Sequence, residues 1–254
     1  MLSTGAVLTG WILAAAPTTT TEFVREAMAQ EQAMARCSSW VQIQYAAELD
    51  RSGAVKPGQE LRVVRRYAGA PGTQKATIVT ADRSGRDVTA DLQKSNRPSE
   101  ADRFRSPFHP ETRPLYMFIR APADPNGPLK LEFRPVYAHR RDAGLFDGVA
   151  LLDRATGRVL EWKAHLVNPP TLVNRAEVQV TYGARVGLLD ARSLVHVEIE
   201  GGLLFYRRQG KMDFQFTDWV CPEAMPAPSA PSVSGVPDAP GGTQDTGERA
   251  DRGS

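Results

Sequence analysis

What most constrains this chain is an alternation of period two that recurs, with brief interruptions, over most of its length. Val41, Ile43 and Tyr45 alternate with Gln42 and Gln44; Ala176, Val178, Val180 and Tyr182 with Arg175, Glu177, Gln179 and Thr181; Val195, Val197 and Ile199 with His196, Glu198 and Glu200. Successive side chains of an extended strand point to opposite faces, so the pattern describes a sheet with one apolar and one polar face. The interruptions read as turns: VKPGQ, GAPG, DRSGRD, APADPNGP, RATG, and the GG and QGK that flank LLFYRR. Connections that short force antiparallel neighbours. About ten to eleven strands follow in this way.

Only one stretch has a clear helical period. TEFVREAMAQEQAMAR predicts a helix from roughly Glu22 to Arg36, with Thr21 as its cap and Phe23, Ala27 and Met34 near one face. Between Asp91 and Arg113 the alternation is lost to nine charges and three prolines, with Phe104 and Phe108 the large apolar residues. This predicts a long, lid-like insertion with a short helix. A sheet of so many antiparallel strands twists and curls. The expected fold is therefore mostly β: a curved antiparallel sheet or incomplete barrel wrapped around the helix and the insertion. Its concave face is expected to carry Phe118, Leu131, Phe133, Trp162, Val180, Phe205 and Phe214, and these are the candidate residues for an apolar ligand cavity.

The ends differ from this body. Residues 6–16 are apolar and end in Ala14, Ala15 and Ala16, the length of the core of an export signal, although no Lys or Arg precedes Arg25. The segment 1–21 is read as that signal with a short leader, and 22–221 as one β domain. The 33 residues from Pro222 to Ser254 hold six prolines, five glycines and no aromatic residue, which predicts a disordered tail. Cys37 closes the helix and Cys221 follows the last strand; in an exported protein they would form a disulfide between helix and sheet.

Several kinds of chemistry find no support. Thirty-one basic against 29 acidic residues leave a net charge of +2 without a basic run, which argues against nucleic acid as a partner. His109, His139, His165 and His196 show no ligand spacing, so no metal site and no cofactor is expected. Asp142, Asp147, Asp153 and the ADPNG segment read as turn residues. No nucleophile elbow or phosphate loop stands in strand-to-helix context, and a non-enzymatic role is expected. The arginines 62, 65, 66, 140, 141, 207 and 208 read as a solvated outer face that can also meet anionic headgroups.

The stretch DGVALLDRATGRVLEWKAHLVNPP, followed by RAEVQVTYG, resembles the LolA and LolB lipoprotein carriers, and LLFYRRQGKMDFQFTDW resembles their closing hairpin. As motif the resemblance covers about 70 residues from Asp147 onward, and as order of elements roughly 22–220. No basic residue here matches the acyl-handling arginine of those carriers, so no family residue is transferred. The resemblance implies a periplasmic or other envelope location and a monomer that holds a lipid, a lipoprotein acyl chain or another hydrophobic ligand, with peripheral membrane contact. The alternative is an envelope module of the same fold that binds another protein; an envelope hydrolase ranks below both.

Overall fold

Residues 16–95, 105–122, 124–142, 144–203 and 206–222 are described by the computed structural model. The expected export segment up to residue 15, Phe104, Phe205 and the tail from residue 223 lie outside them.

The helix α1 spans Thr20–Ala35. Its cap is Thr19 rather than Thr21, because Thr19 is the threonine with an acid three residues on. The Thr19 hydroxyl accepts the Glu22 N–H at 3.2 Å, and the Glu22 carboxylate accepts the backbone N–H groups of Thr18 at 2.7 Å and Thr19 at 2.9 Å. Those bonds, Thr18 first, hold the Glu22 carboxyl at about 2. The buried side of α1 carries Phe23, Val24, Ala27 and Met34, and also Gln30 and Glu31.

Eleven strands follow: β1 Ser39–Leu49, β2 Val55–Ala68, β3 Lys75–Arg83, β4 Arg86–Asp87, β5 Tyr116–Arg120, β6 Leu129–Pro135, β7 Phe146–Leu152, β8 Val159–Leu166, β9 Val173–Val186, β10 Leu189–Leu203 and β11 Tyr206–Val220. They form one sheet in the order β4-β3-β2-β1-β11-β10-β9-β8-β7-β6-β5, with every pairing antiparallel. The sheet is curved and not closed into a barrel. A second helix, α2 (Thr89–Ser95), lies against β3, where Gln93 donates to the Ile78 carbonyl at 2.9 Å. Among the segments expected as turns, VKPGQ lies inside β2, GG inside β10 and QGK inside β11. The turn before β2 is instead nucleated by Asp50, whose carboxylate accepts the N–H groups of Ser52 and Ala54.

The one junction that joins strands distant in sequence pairs β1 with β11, with Gln42 opposite Phe216 and Gln44 opposite Phe214. Cys37 and Cys221, 184 residues apart, are disulfide-bonded at its end. Rings stack beside the bond: Trp40 lies 4.8 Å from Tyr67 and 5.0 Å from Trp219. The same pairing corrects the sequence reading of β1. Gln42 and Gln44 are 1% and 5% exposed and share the inner face with Phe214 and Phe216, whereas Val41, Ile43 and Tyr45 take the outer one. Arg65, expected on the outer face, sits opposite Gln42, is buried and donates to Gln44. The need to satisfy a buried guanidinium accounts for a glutamine where an apolar residue would otherwise pack.

Two polar residues dock α1 onto the sheet. β8 meets β9 only from Glu161 onward, which leaves the backbone of Val159 without a strand partner there. Gln30 takes that place: its amide oxygen accepts the Val159 N–H at 2.7 Å, and its amide nitrogen donates to the carbonyls of Val159 at 3.2 Å and Asp190 at 2.7 Å. Glu31 accepts the Tyr182 hydroxyl at 2.5 Å and faces Arg192 at 3.6 Å, while Trp162 donates to the Tyr182 oxygen at 3.3 Å. Burial, reinforced by the Glu31 charge, pushes the Tyr182 hydroxyl far above its ordinary pKa.

Replacing Gln30 by leucine strands one buried N–H and two carbonyls; at about 1–3 kcal/mol for an unmet buried group, a fall in unfolding free energy of at least roughly 3 kcal/mol is expected by urea titration. Reduction of Cys37–Cys221 frees a loop of 184 residues. It should cost roughly 2–5 kcal/mol, read as a drop in melting temperature with dithiothreitol that a Cys37→Ser, Cys221→Ser double variant reproduces without it.

Candidate ligand pocket

Of the seven residues proposed from the sequence for the concave face, six are described, and the sheet brings them together. Leu131, Phe133, Trp162, Val180 and Phe214 are buried in one core cluster, and Phe118 packs against it under the Arg113 guanidinium, 5.1 Å from the ring centroid. Phe133 meets Trp162 edge to face at 6.1 Å. The insertion contributes directly: Phe108 is fully buried, 5.1 Å from Phe118 and 6.4 Å from Phe133. Beneath α1 and Phe108 the concave face is thus packed with the chain's own side chains.

Open space appears on the same face farther along the strands. A cavity of about 780 Å³ is lined by Ala46, Leu61, Val173, Ile199 and Met212 and by the backbone of Gly201, Gly202 and Gly210, with Glu48, Arg83 and Arg208 around it. Residues opposite one another in the ladder lie side by side, and the registers Leu61–Ala46–Met212 and Gly210–Ile199 form its floor. No residue of α1 contributes to the lining. The glycines act in two ways. At Gly201 a Cβ would come within 2.3 Å of the Leu172 carbonyl oxygen, so only glycine lets the β8–β9 connection approach. At Gly210 a Cβ would meet only the Ala47 carbonyl oxygen, at 3.5 Å, so the missing side chain leaves volume rather than relieving a clash.

None of these lining residues is among the seven proposed from the sequence for the cavity. The available signal was small residues in an apolar register, Ala46 and Gly210 in particular, but glycines beside a charged run read equally well as turns. A second, half-polar cavity of about 1020 Å³ lies toward the other end of β1 and β2, between Trp40, Arg65, Tyr67 and Lys75 on the sheet and Arg105, His109 and Glu111 of the insertion. Arg105 and Glu111 are ion-paired there. Burial, with Arg105 and Arg192 adding to it against Glu31, lowers the pKa of His109.

The aspartates fill structural roles. Asp153 accepts the N–H groups of Ala155 and Thr156 and the Thr156 hydroxyl, Asp124 caps the Asn126 turn, and Asp142 bonds His139 at 2.7 Å. Asp147 stands in β7 opposite His165 rather than in a turn. On the outer face His196 Nδ1 meets Asp213 at 2.5 Å and Nε2 meets Glu198 at 3.2 Å. A neutral imidazole donates from one nitrogen only, so both bonds together require the imidazolium.

No family model matches the chain, and no curated protein does. The fold is similar to that of a LolA superfamily protein from Nitrosomonas europaea, at 8% identity over 82% of this chain and 96% of that one, with a TM-score of 0.38. It is also similar to a chain of the Pseudomonas aeruginosa MucA/MucB complex, at 12% identity over 76% and 93% with a TM-score of 0.24. For MucB in complex with MucA(peri) the values are 13%, 78%, 94% and 0.23.

For His196, partial burial lowers the pKa, but the bonds and charges of Asp213 and Glu198 outweigh it, so the net shift is upward. A folded-state pKa above the unfolded one stabilises fully below the unfolded value, near 6.5, and the gain is lost as pH rises through the folded value. The difference in melting temperature between the wild type and His196→Asn should therefore be largest near pH 6 and shrink toward pH 9. A difference that is flat with pH would show that the imidazolium does not form.

Proposed function

We propose that this protein is a non-enzymatic carrier of the cell envelope that holds one acyl chain of a lipid or lipoprotein in the open end of its concave face. The observation that carries this reading is the 780 Å³ cavity, apolar along its floor and left uncovered by α1. Its size falls within the range of small-ligand pockets. Each methylene moved from water onto that floor stabilises the complex by ~0.8 kcal/mol, so roughly ten, most of one acyl chain, supply the ~8 kcal/mol of a micromolar complex. The residues Phe118, Leu131, Phe133, Trp162, Val180 and Phe214 pack together on the same concave face and are proposed as the wall beside this floor. The disulfide fits an oxidising compartment. Among the described residues no helix is long and apolar enough to cross a membrane. The floor of Ala46, Leu61, Ile199 and Met212 offers apolar packing surface, which favours holding a chain.

The test uses the glycine that makes the volume. Gly210→Leu places a side chain in the cavity at a position where it meets no backbone closer than 3.5 Å. It should weaken uptake of a fluorescent fatty acid at least tenfold with the melting temperature nearly unchanged, while Trp162→Ala should lower the melting temperature by emptying the core. Uptake that is unaffected by Gly210→Leu, or absent from the wild type, overturns the acyl-chain reading and directs attention to a protein partner.

A further inference from the structure

The register of the sheet gathers several connections at one end. β9 begins where Val173 lies opposite Gly201 of β10, Gly201 lies opposite Arg208 of β11, and Gln209 lies opposite Leu49 at the close of β1. β7 begins with Phe146 opposite Leu166, near the end of β8, and β6 closes with Pro135 opposite Tyr116. The β6–β7 and β8–β9 connections therefore leave the sheet at the end where the apolar cavity opens.

Each of these two connections displays a large side chain to solvent. Tyr137, in a short 3-10 turn, is 87% exposed, and the Arg140 guanidinium lies 5.7 Å from its ring centroid. Leu172 is 55% exposed and has φ of 76°, a left-handed conformation that a side-chain-bearing residue avoids unless its surroundings impose it. The imposing contacts are present: the Gly202 N–H donates to the Leu172 carbonyl at 2.8 Å, next to the bare Cα of Gly201, and Val173 N–H donates to Pro170 at 2.9 Å. A third bond joins the two connections into one surface, from the Asn168 amide to the Arg141 carbonyl at 2.7 Å. The Arg140 and Arg141 side chains are both exposed, and the nearby acid, Asp142, is taken up by His139.

We propose that this end of the sheet docks on an anionic lipid bilayer, with Tyr137 and Leu172 entering the interface and Arg140 and Arg141 meeting the headgroups. The proposal deepens the carrier reading and rests on it for the purpose of docking: the cavity mouth is brought to the surface from which a chain is taken or to which it is given. Two features favour a bilayer over an acidic protein. The apolar residues project singly from tight turns instead of forming a broad flat patch, and tyrosine beside arginine suits the amphipathic headgroup layer. Held backbones also let the side chains enter without first being ordered.

Flotation with vesicles decides it, using the full chain, vesicles of pure phosphatidylcholine and vesicles with 30% phosphatidylglycerol. Binding of the wild type only to the anionic vesicles, reduced at least tenfold by Arg140→Glu with Arg141→Glu and similarly by Tyr137→Ser with Leu172→Ser, is the expected result. Gly210→Leu separates this from the cavity: it should float like the wild type even though it no longer takes up the acyl probe. No binding, equal binding to neutral vesicles, or binding undiminished in the arginine variant would overturn the docking proposal. So would loss of flotation in Gly210→Leu, since binding would then follow chain capture rather than the surface.

Discussion

The rest of the structure depends on the pairing of the first strand with the last. Every other neighbour in the sheet is joined by a local connection, but the β1–β11 ladder must bring together segments separated by most of the domain. Closing so long a loop is entropically costly. The cost is met at one place, by the Cys37–Cys221 disulfide, the Trp40, Tyr67 and Trp219 stack, and the ladder itself. Because Cys37 directly follows α1, the same junction also sets where the helix enters the concave face.

The helix is too short for the face it covers. Sixteen residues make a rod of about 24 Å at 1.5 Å per residue, whereas eleven strands about 4.8 Å apart span roughly 50 Å along the curve. Phe108 fills part of the difference. What remains uncovered is the run of small and aliphatic residues from Ala46 to Met212. The position of that gap follows from the polar docking of Gln30 and Glu31, which seat α1 against β8, β9 and β10 and leave the far ends of β1, β2 and β11 free. A cavity made by an incomplete cover needs no moving lid to be accessible. Its contents are limited by the shape of the floor, where glycine stands instead of a side chain.

Electrostatics divide the molecule between its faces. On the outer face cations and carboxylates alternate across neighbouring strands, as in the pairing of His196 with Asp213 and Glu198, and such groups stay solvated and contribute little alone. On the inner face Arg65 is tied to Gln44 and Glu31 to Tyr182, each pair with a structural task. The cavity floor between them is left free for apolar contact.

Local chemistry was legible in the sequence because it depends on near neighbours. The period of two determined the strands and the mostly β class, and short connections their antiparallel order; the helix was legible from its own period, although its cap is Thr19, paired with Glu22, and not Thr21. The apolar inner residues from Leu131 to Phe214 could be grouped for the same reason. Where a face meets something distant, the alternation misleads. Gln44 turns inward because Arg65 of the next strand needs it, Gln42 shares that face, and Gly201 and Gly210 lie in strands rather than turns because a connection and a cavity require absent side chains there. The sequence by itself determined that a curved sheet with one apolar face would form. Only the tertiary structure decided which part of that face is packed and which is open, since this depends on where one short helix comes to rest against eleven strands.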